Sequence, residues 1–280
     1  YIDRLPANFA ATRQGRELAL IAIARLARDY ATMKPAVLYQ GYGMQRRAYG
    51  EQAVRAGCVL AAITGNVGIF SDYRFRGISL SNEKVAVQPT LTVSHESGLY
   101  AGVWGSSLPD SPAYGKFELD VYGGYRGKFS DAVSYDIGAL YYWYPGDYPA
   151  GFNSPDTGEV YAGLTVAATD TLSLGARYSH AVTDLFGYVD SDGSGYLDVT
   201  ATYAIGSGWS LAAHGGKQWI ENSEAFEYAD WKLGVSKAFD NGFSVGLAYT
   251  DTDADESLYT NAYGNRIAGS AVAFNVSRAF

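Results

Sequence analysis

The chain has 280 residues, 48% of them hydrophobic and 18% charged, with 33 Gly, 24 Tyr, 5 Trp, one Cys and a net charge of −8. One cysteine builds neither a disulfide framework nor a Cys-based zinc site, and the acidic balance excludes nucleic acid as the main partner, because phosphate binding needs a basic face. The charge is also uneven: residues 1–62 carry nine Lys/Arg and four Asp/Glu, net +5, whereas residues 63–280 carry 12 and 25, net −13. Such an asymmetry divides the chain into two pieces.

In the first piece, Leu18, Leu20, Ile21, Ile23 and Leu26 recur near helical spacing, with Arg16, Glu17, Arg25 and Arg28 between them. That pattern predicts an amphipathic helix. The stretch RLPANFAATRQGRELALIAIARLARD is similar to one helical unit of the lytic murein transglycosylases. It lacks a catalytic Glu motif, so the similarity implies no activity. The expectation for residues 1–62 is a helical extension or leader, whose place in the mature protein the sequence leaves open.

From Ile63 onward the period changes to two. Val133, Tyr135, Ile137, Ala139, Tyr141 and Trp143 alternate with Ser134, Asp136, Gly138, Leu140 and Tyr142. Leu197 to Ile205 and Phe243 to Tyr249 repeat the pattern. One apolar face and one face of small or polar residues is how a strand reads between two unlike media.

Twelve such runs are legible, at about 63–76, 84–95, 99–106, 115–127, 131–143, 158–168, 171–182, 195–205, 208–219, 228–238, 242–251 and 267–280. The connections alternate between short links, such as Thr169-Asp170 and Gly206-Ser207, and longer ones, such as 144–157 and 183–194. An even strand number with short turns at one end and long loops at the other is the pattern of an outer-membrane barrel. Strands of about ten residues fit a tilted bilayer span. The expected fold is therefore all-β: a transmembrane, up-and-down antiparallel β-barrel of about 12 strands over 63–280, with a short α-helical extension before it.

Aromatic residues gather near the strand ends. Tyr141, Trp143 and Tyr144 precede Pro145-Gly146, Trp104 precedes a loop, and Trp209 adjoins a turn. Amphipathic rings favour the headgroup level, so these five read as girdle residues. The chain ends at Phe280 after Phe274 and Val276 on one parity. A terminal Phe on an amphipathic last strand resembles the signal read by the outer-membrane assembly machinery of Gram-negative bacteria. Arg278 shares that parity and would have to snorkel to the interface.

The segment GNVGIFSDYRFRGISLSNEKVAVQPTLTVSHESGLYAGVWGSS, the later YYWYPGDYP and DTGEVYAGL, and the ending VSRAF closely resemble the TorF-family porins of proteobacteria. The resemblance covers about residues 63–280. It implies an outer-membrane barrel in contact with lipid and lipopolysaccharide, assembled by the outer-membrane machinery and passing small solutes or ions, with no cofactor.

Charges are costly on a lipid face, by roughly 2–4 kcal/mol for Arg or Lys at the midplane, so charged strand residues belong inside. With Val67 and Ile69 outward, parity carries Asp72, Arg74 and Arg76 inward and Tyr73 and Phe75 outward. Glu118, Asp120, Arg126, Asp136, Arg177, Asp198, Asp230 and Lys232 also fall on inward parities. The functional expectation is an eyelet in which Arg74 and Arg76 oppose Glu118, Asp120 or Asp136 and filter solutes by charge and size. The bland alternative is a structural network that pairs these groups and plugs the interior. The long loops hold Asp190, Asp192, Glu221, Glu224, Asp253 and Asp255. An acidic mouth raises the local cation concentration, which predicts a cation-preferring channel.

Two further motifs carry little. Asp190-Ser191-Asp192-Gly193-Ser194-Gly195 resembles half of a calcium loop, but its twelfth position is Ala201 rather than Glu, so an Asp/Gly turn is the expectation and no metal is assigned. A lipid hydrolase would need a Ser–His pair, and the candidates are His95 with Ser94 or Ser97, His180 with Ser179, and His214. Adjacent strand residues point to opposite faces, which spoils Ser94–His95 and Ser179–His180. No enzymatic activity is expected. A structural or adhesive barrel with a plugged lumen stands as the alternative to the channel.

Overall fold

In a computed structural model, residues 62–280 are described, apart from 112–114, 147, 149 and 262. The helical extension expected over 1–62 lies outside the described residues. Twelve strands close into one antiparallel barrel: β1 (Ile63–Phe70), β4 (Ala86–Ser94), β5 (Leu99–Ser111), β6 (Gly115–Lys128), β7 (Val133–Trp143), β8 (Thr157–Ala167), β9 (Leu172–Ala181), β10 (Gly195–Gly206), β11 (Trp209–Trp219), β12 (Tyr228–Ala238), β13 (Phe243–Thr252) and β14 (Ala271–Ala279). Two short strands, β2 (Arg74–Phe75) and β3 (Ile78–Ser79), form a separate hairpin. Each barrel strand pairs with its neighbours in the barrel sequence. β1 closes the cylinder against β14, with Ile69 opposite Val276 and Val67 opposite Arg278. At the seam, Gly65 and Phe280 exchange both backbone hydrogen bonds at 3.0 Å. Closure leaves no sheet edge, as a membrane-spanning sheet requires.

The period of two decides which atoms face outward. Val67, Leu91, Val103, Val121, Ile137, Leu164, Val199, Leu211, Leu233 and Leu247 are all exposed, whereas Glu118, Asp120, Glu159, Gln218 and Asp230 are buried. The apolar surface lies outside and the polar surface inside, the inverse of a soluble barrel. Gly and Tyr are used together across the sheet. A β-carbon at Gly138 would meet the Tyr161 hydroxyl at 2.6 Å, one at Gly124 the Tyr100 hydroxyl at 2.7 Å, and one at Gly102 the Tyr122 hydroxyl at 2.5 Å. Inward tyrosines therefore lie over glycines of adjoining strands, which gives the abundance of both residues a shared cause.

The first expected strand ends early. Pairing stops at Phe70, and residues 71–83 leave the sheet rather than continuing to Arg76. Tyr73 is buried and Phe75 packs in the same cluster, so neither faces outward as strand parity predicted. Parity carries information only while the chain remains a strand. The last strand likewise begins at Ala271 rather than 267.

The apolar core sits at the long-loop end. Tyr73, Ala86, Leu108, Tyr142 and Tyr144 form one buried cluster, and Ala181, Leu185 and Ile220 form another. The rings of Phe75, Tyr142 and Phe186 meet edge to face at centroid distances of 5.1–5.6 Å.

Candidate functional site: a hairpin inside the barrel

The β2–β3 hairpin turns through Arg76 and Gly77, at φ +48° and +81°. Positive φ at both central residues is the geometry of the tight turn that matches strand twist, and it favours glycine. Asp72 organises its base. Its Oδ1 accepts from the hydroxyls of Ser79 at 2.6 Å and Ser81 at 2.9 Å, and its Oδ2 accepts from Arg74 Nε at 2.7 Å.

The hairpin touches the wall on nearly every side. Tyr73 lies 5.3 Å from the Trp104 ring of β5 and donates its hydroxyl to Glu118 of β6 at 3.2 Å. Phe75 meets Tyr142 of β7. Arg76 Nη2 donates to both carboxylate oxygens of Glu159 on β8 at 2.8 Å, and its Nη1 donates to Gln218 of β11 at 2.8 Å. The same guanidinium lies 4.3 Å from the Tyr196 ring of β10. A β-carbon on Gly77 would strike Thr252 of β13 at 2.4 Å and Asp230 of β12 at 2.8 Å. A segment in reach of β5, β6, β7, β8, β10, β11, β12 and β13 can only lie within the cylinder.

This geometry reassigns the expected eyelet pairs. Arg74 is bound to Asp72 and donates to the Gly269 carbonyl at 2.5 Å, and Arg76 is bound to Glu159. Neither opposes Asp120 or Asp136 in an ion pair. Glu118 instead receives the Tyr73 hydroxyl, and Asp136 receives Arg126 Nε at 3.1 Å and the Tyr100 hydroxyl at 2.5 Å. Tyr100 is also hydrogen-bonded to Tyr161, and Arg126 stacks 3.9 Å from the Tyr100 ring centroid. Sequence parity found Asp136 and Arg126 but missed Glu159, Tyr100 and Tyr161, which lie on equally regular inward positions. An unmatched inward base such as Arg76 was the signal that a partner carboxylate had to exist on another strand.

A cavity of about 370 Å³ lies between the hairpin and the wall, lined by Tyr73 to Gly77 and by Trp104, Asp120, Arg177, Asp198, His214, Asp230 and Lys232 among others. His214 bridges two acids, with Nδ1 at 3.0 Å from Asp198 and Nε2 at 2.7 Å from Asp230. Tyr196 donates to Asp230 at 2.9 Å. Among the described residues Arg177 takes no ion pair and its buried Nε has no hydrogen-bond partner; the guanidinium stacks 3.6 Å from the Tyr161 ring centroid.

The aromatic expectation divides. Tyr141, Trp143 and Trp209 are exposed on the outer face. Trp104 faces the cavity and Tyr144 is 1% exposed inside a buried cluster, so these two are not on the outer face. Trp104 is even-numbered on β5, in phase with the buried Tyr100 and Ser106, and because β5 runs on to Ser111 it stands within the strand rather than before a loop. Trp219, Trp231, Tyr178 and Tyr203 are further exposed rings on the outer face. Phe274, Val276 and Phe280 share the outer parity, and the guanidinium of Arg278 lies 5.2 Å from the Phe243 ring.

The loop residues Asp190, Asp192, Glu221, Glu224, Asp253 and Asp255 are all exposed at the long-loop end. Asp253 accepts the Ala229 amide at 2.6 Å. Hydrogen bonds from the Ser257 hydroxyl and amide hold the Asp255 carboxyl below its usual range. The Asp/Gly turn is organised from Asp184, which accepts the Ser191 amide at 3.0 Å. His95 Nδ1 and Ser97 Oγ are 2.8 Å apart on an exposed short turn, and no described carboxylate orients that histidine.

Residues 56–280 match the family described as "Bacterial protein of unknown function (Gcw_chp)". The chain belongs to the Gcw_chp family. Among solved structures, this Gcw_chp barrel is similar to a KdgM porin in complex with disordered oligogalacturonate, at 9% identity and a TM-score of 0.52, covering 78% of this chain and 99% of that one. A NanC porin matches at 18% identity with the same TM-score and coverages. At such low identities the structural likeness shows a shared barrel fold alone. Dimethyl sulfoxide reductase DmsA of Escherichia coli (strain K12) is 55% identical over 110 residues, and the chain spans only 13% of its length. A short match of that kind carries no enzyme activity to the Gcw_chp chain.

Proposed function

We propose that the protein is an outer-membrane, porin-like channel for small solutes or ions, narrowed by the 71–83 hairpin and preferring cations. The observation that carries this reading is the inverted barrel, apolar outside and polar inside, with a charged hairpin folded into its lumen. An apolar outer surface has a stable home only in lipid, and a polar lumen has a use only when water enters it. The outward rings of Tyr141, Trp143 and Trp209 then serve as interfacial anchors. Phe274, Val276 and Phe280 form the apolar stripe of the terminal strand, suited to recognition by the assembly machinery, and the outer surface meets lipid and lipopolysaccharide. The resemblance to TorF-family porins agrees with this reading.

Cation preference rests on the six exposed loop acids at one mouth, which raise the local cation concentration. Reversal potentials of the full chain across a KCl gradient test it. Potassium preference, weakened when Glu221, Glu224, Asp253 and Asp255 are changed together to Asn or Gln, is the expected result, and chloride preference refutes it. The extent of hairpin packing favours one second reading, a structural barrel whose lumen is closed. Normal membrane insertion without any ion current would establish that reading instead.

A further inference from the structure

Most charged groups of the lumen neutralise one another locally. Arg74 is matched by Asp72, Arg76 by Glu159 and Arg126 by Asp136, while His214 engages Asp198 and Asp230. Three groups on the cavity wall take no hydrogen bond or ion pair from any described residue: Asp120, Arg177 and Lys232. Asp120 is only 7% exposed, and its Oδ1 is buried with no partner. Burying a carboxylate oxygen with nothing to satisfy it is expensive, and native structures avoid it unless a ligand or water completes the site.

The three groups are also separated by sign. In a ring of twelve strands, β6 and β12 stand six places apart, so Asp120 and Lys232 occupy opposite walls, and β9, which carries Arg177, lies between them. Register places Arg177 directly across from Asp198 on β10, yet Asp198 is drawn to His214 and the guanidinium lies on the Tyr161 ring. The histidine bridge thereby keeps a base free that the sheet would otherwise pair. Trp104 and Tyr196 add ring surface to the cavity wall.

We infer that this cavity binds a small zwitterion of amino-acid type, its ammonium toward Asp120 and its carboxylate toward Arg177 and Lys232. One ligand of that kind satisfies all three groups, whereas an anion leaves Asp120 unmet and a cation leaves the two bases unmet. The volume of about 370 Å³ is at the lower end of the usual range for small-ligand sites, which suits such a solute. The inference rests on the channel reading only for the solute's route of entry.

The test is saturation-transfer NMR titration of the full chain in detergent micelles with L-serine, lactate and ethanolamine as probes. Liposome swelling with L-serine and glycerol is run in parallel. Serine should bind saturably and at least about tenfold more tightly than either singly charged probe, in keeping with the worth of a hydrogen bond to a charged group. Asp120→Asn, Arg177→Gln and Lys232→Met should each weaken serine binding by about tenfold; Lys232 projects into open lumen, so its replacement gives a variant that folds if the buried ones do not. Equal binding of serine and lactate, or no saturable binding of serine, overturns the inference. Swelling by both solutes without serine binding sinks the site and leaves the channel, whereas serine binding without swelling leaves the site and sinks the channel.

Discussion

Arg76 and Glu159 join the inner hairpin to the barrel wall: one guanidinium nitrogen lies 2.8 Å from each carboxylate oxygen, and both side chains are more than nine-tenths buried. The two residues are 83 positions apart, so their pairing fixes a loop against a strand formed much later in the chain. Gln218 receives a second nitrogen of the same guanidinium, and Tyr142 donates to Glu159 at 3.1 Å. Breaking a buried pair by removing one partner costs about 3–5 kcal/mol, because the other charge is left unmet.

Glu159→Gln or Arg76→Ala should therefore detach the hairpin. The expected result is a lower unfolding temperature of the refolded barrel, together with a larger and noisier single-channel current. Unchanged stability and conductance in both variants would show that the pair does not hold the loop.

Gly77 should tolerate no side chain. Its φ of +81° disfavours one, and the added carbon would lie 2.4 Å from Thr252 Cγ2 and 2.8 Å from the Asp230 β-carbon. Overpacking of this kind costs about 1–3 kcal/mol. Gly77→Val should push the hairpin from its seat and expose residues 71–83 to protease in refolded protein. Protection equal to that of the parent would contradict the contact.

Much of this architecture is legible in the sequence, and the hairpin shows why the rest is not. The outward positions of Val121, Ile137 and Leu233 follow from alternation, because each strand lies between lipid-like and water-like surroundings throughout its length. Residues 71–83 preserve the alternating appearance, since Tyr73 and Phe75 pack inward against Trp104, Tyr142 and Phe186 as outward residues would pack on lipid. Periodicity cannot distinguish those two apolar environments. The Arg76-Gly77 dipeptide was the local sign of a turn, and it reads as one only once the hairpin is known. Asp72, Arg74 and Arg76 sit on a loop folded inside rather than on the strand that parity assumes; Asp72 and Arg74 pair within that loop, and parity could not supply the partners of Arg76, which come from β8 and β11.

The outer face should reject charge where the inner face accepts it. Leu233 is 60% exposed on β12, and Ser236 faces the lumen on the same strand, where its hydroxyl is 2.8 Å from that of Ser210. Leu233→Arg should destabilise folding into phospholipid vesicles by roughly 2–4 kcal/mol if the residue lies near the midplane. Ser236→Arg should fold with a much smaller loss, measured by gel mobility of unheated samples. Equal penalties for the two would contradict the assignment of faces.

The loop of residues 182–194 should loosen in acid. Asn153 Nδ2 donates to Asp184 at 2.8 Å, and that hydrogen bond, assisted by backbone amides, holds the carboxyl below its usual value of 3.8. A depressed carboxylate contributes stability at pH above its unfolded value and loses it as pH falls through its folded value. Amide exchange at Ser191 should be slow at pH 5 and accelerate, beyond the intrinsic pH effect, below about pH 3.8. Asp184→Asn should abolish the acid-specific acceleration. An identical profile in the variant would assign the transition to another group.

The most direct measurement is the current through single molecules of the purified full chain in a planar lipid bilayer. Discrete, repeatable conductance steps, enlarged in Glu159→Gln, are the result predicted for a water-filled barrel narrowed by its own hairpin. Membrane-inserted protein that passes no current, in the parent and in Glu159→Gln alike, would contradict the channel.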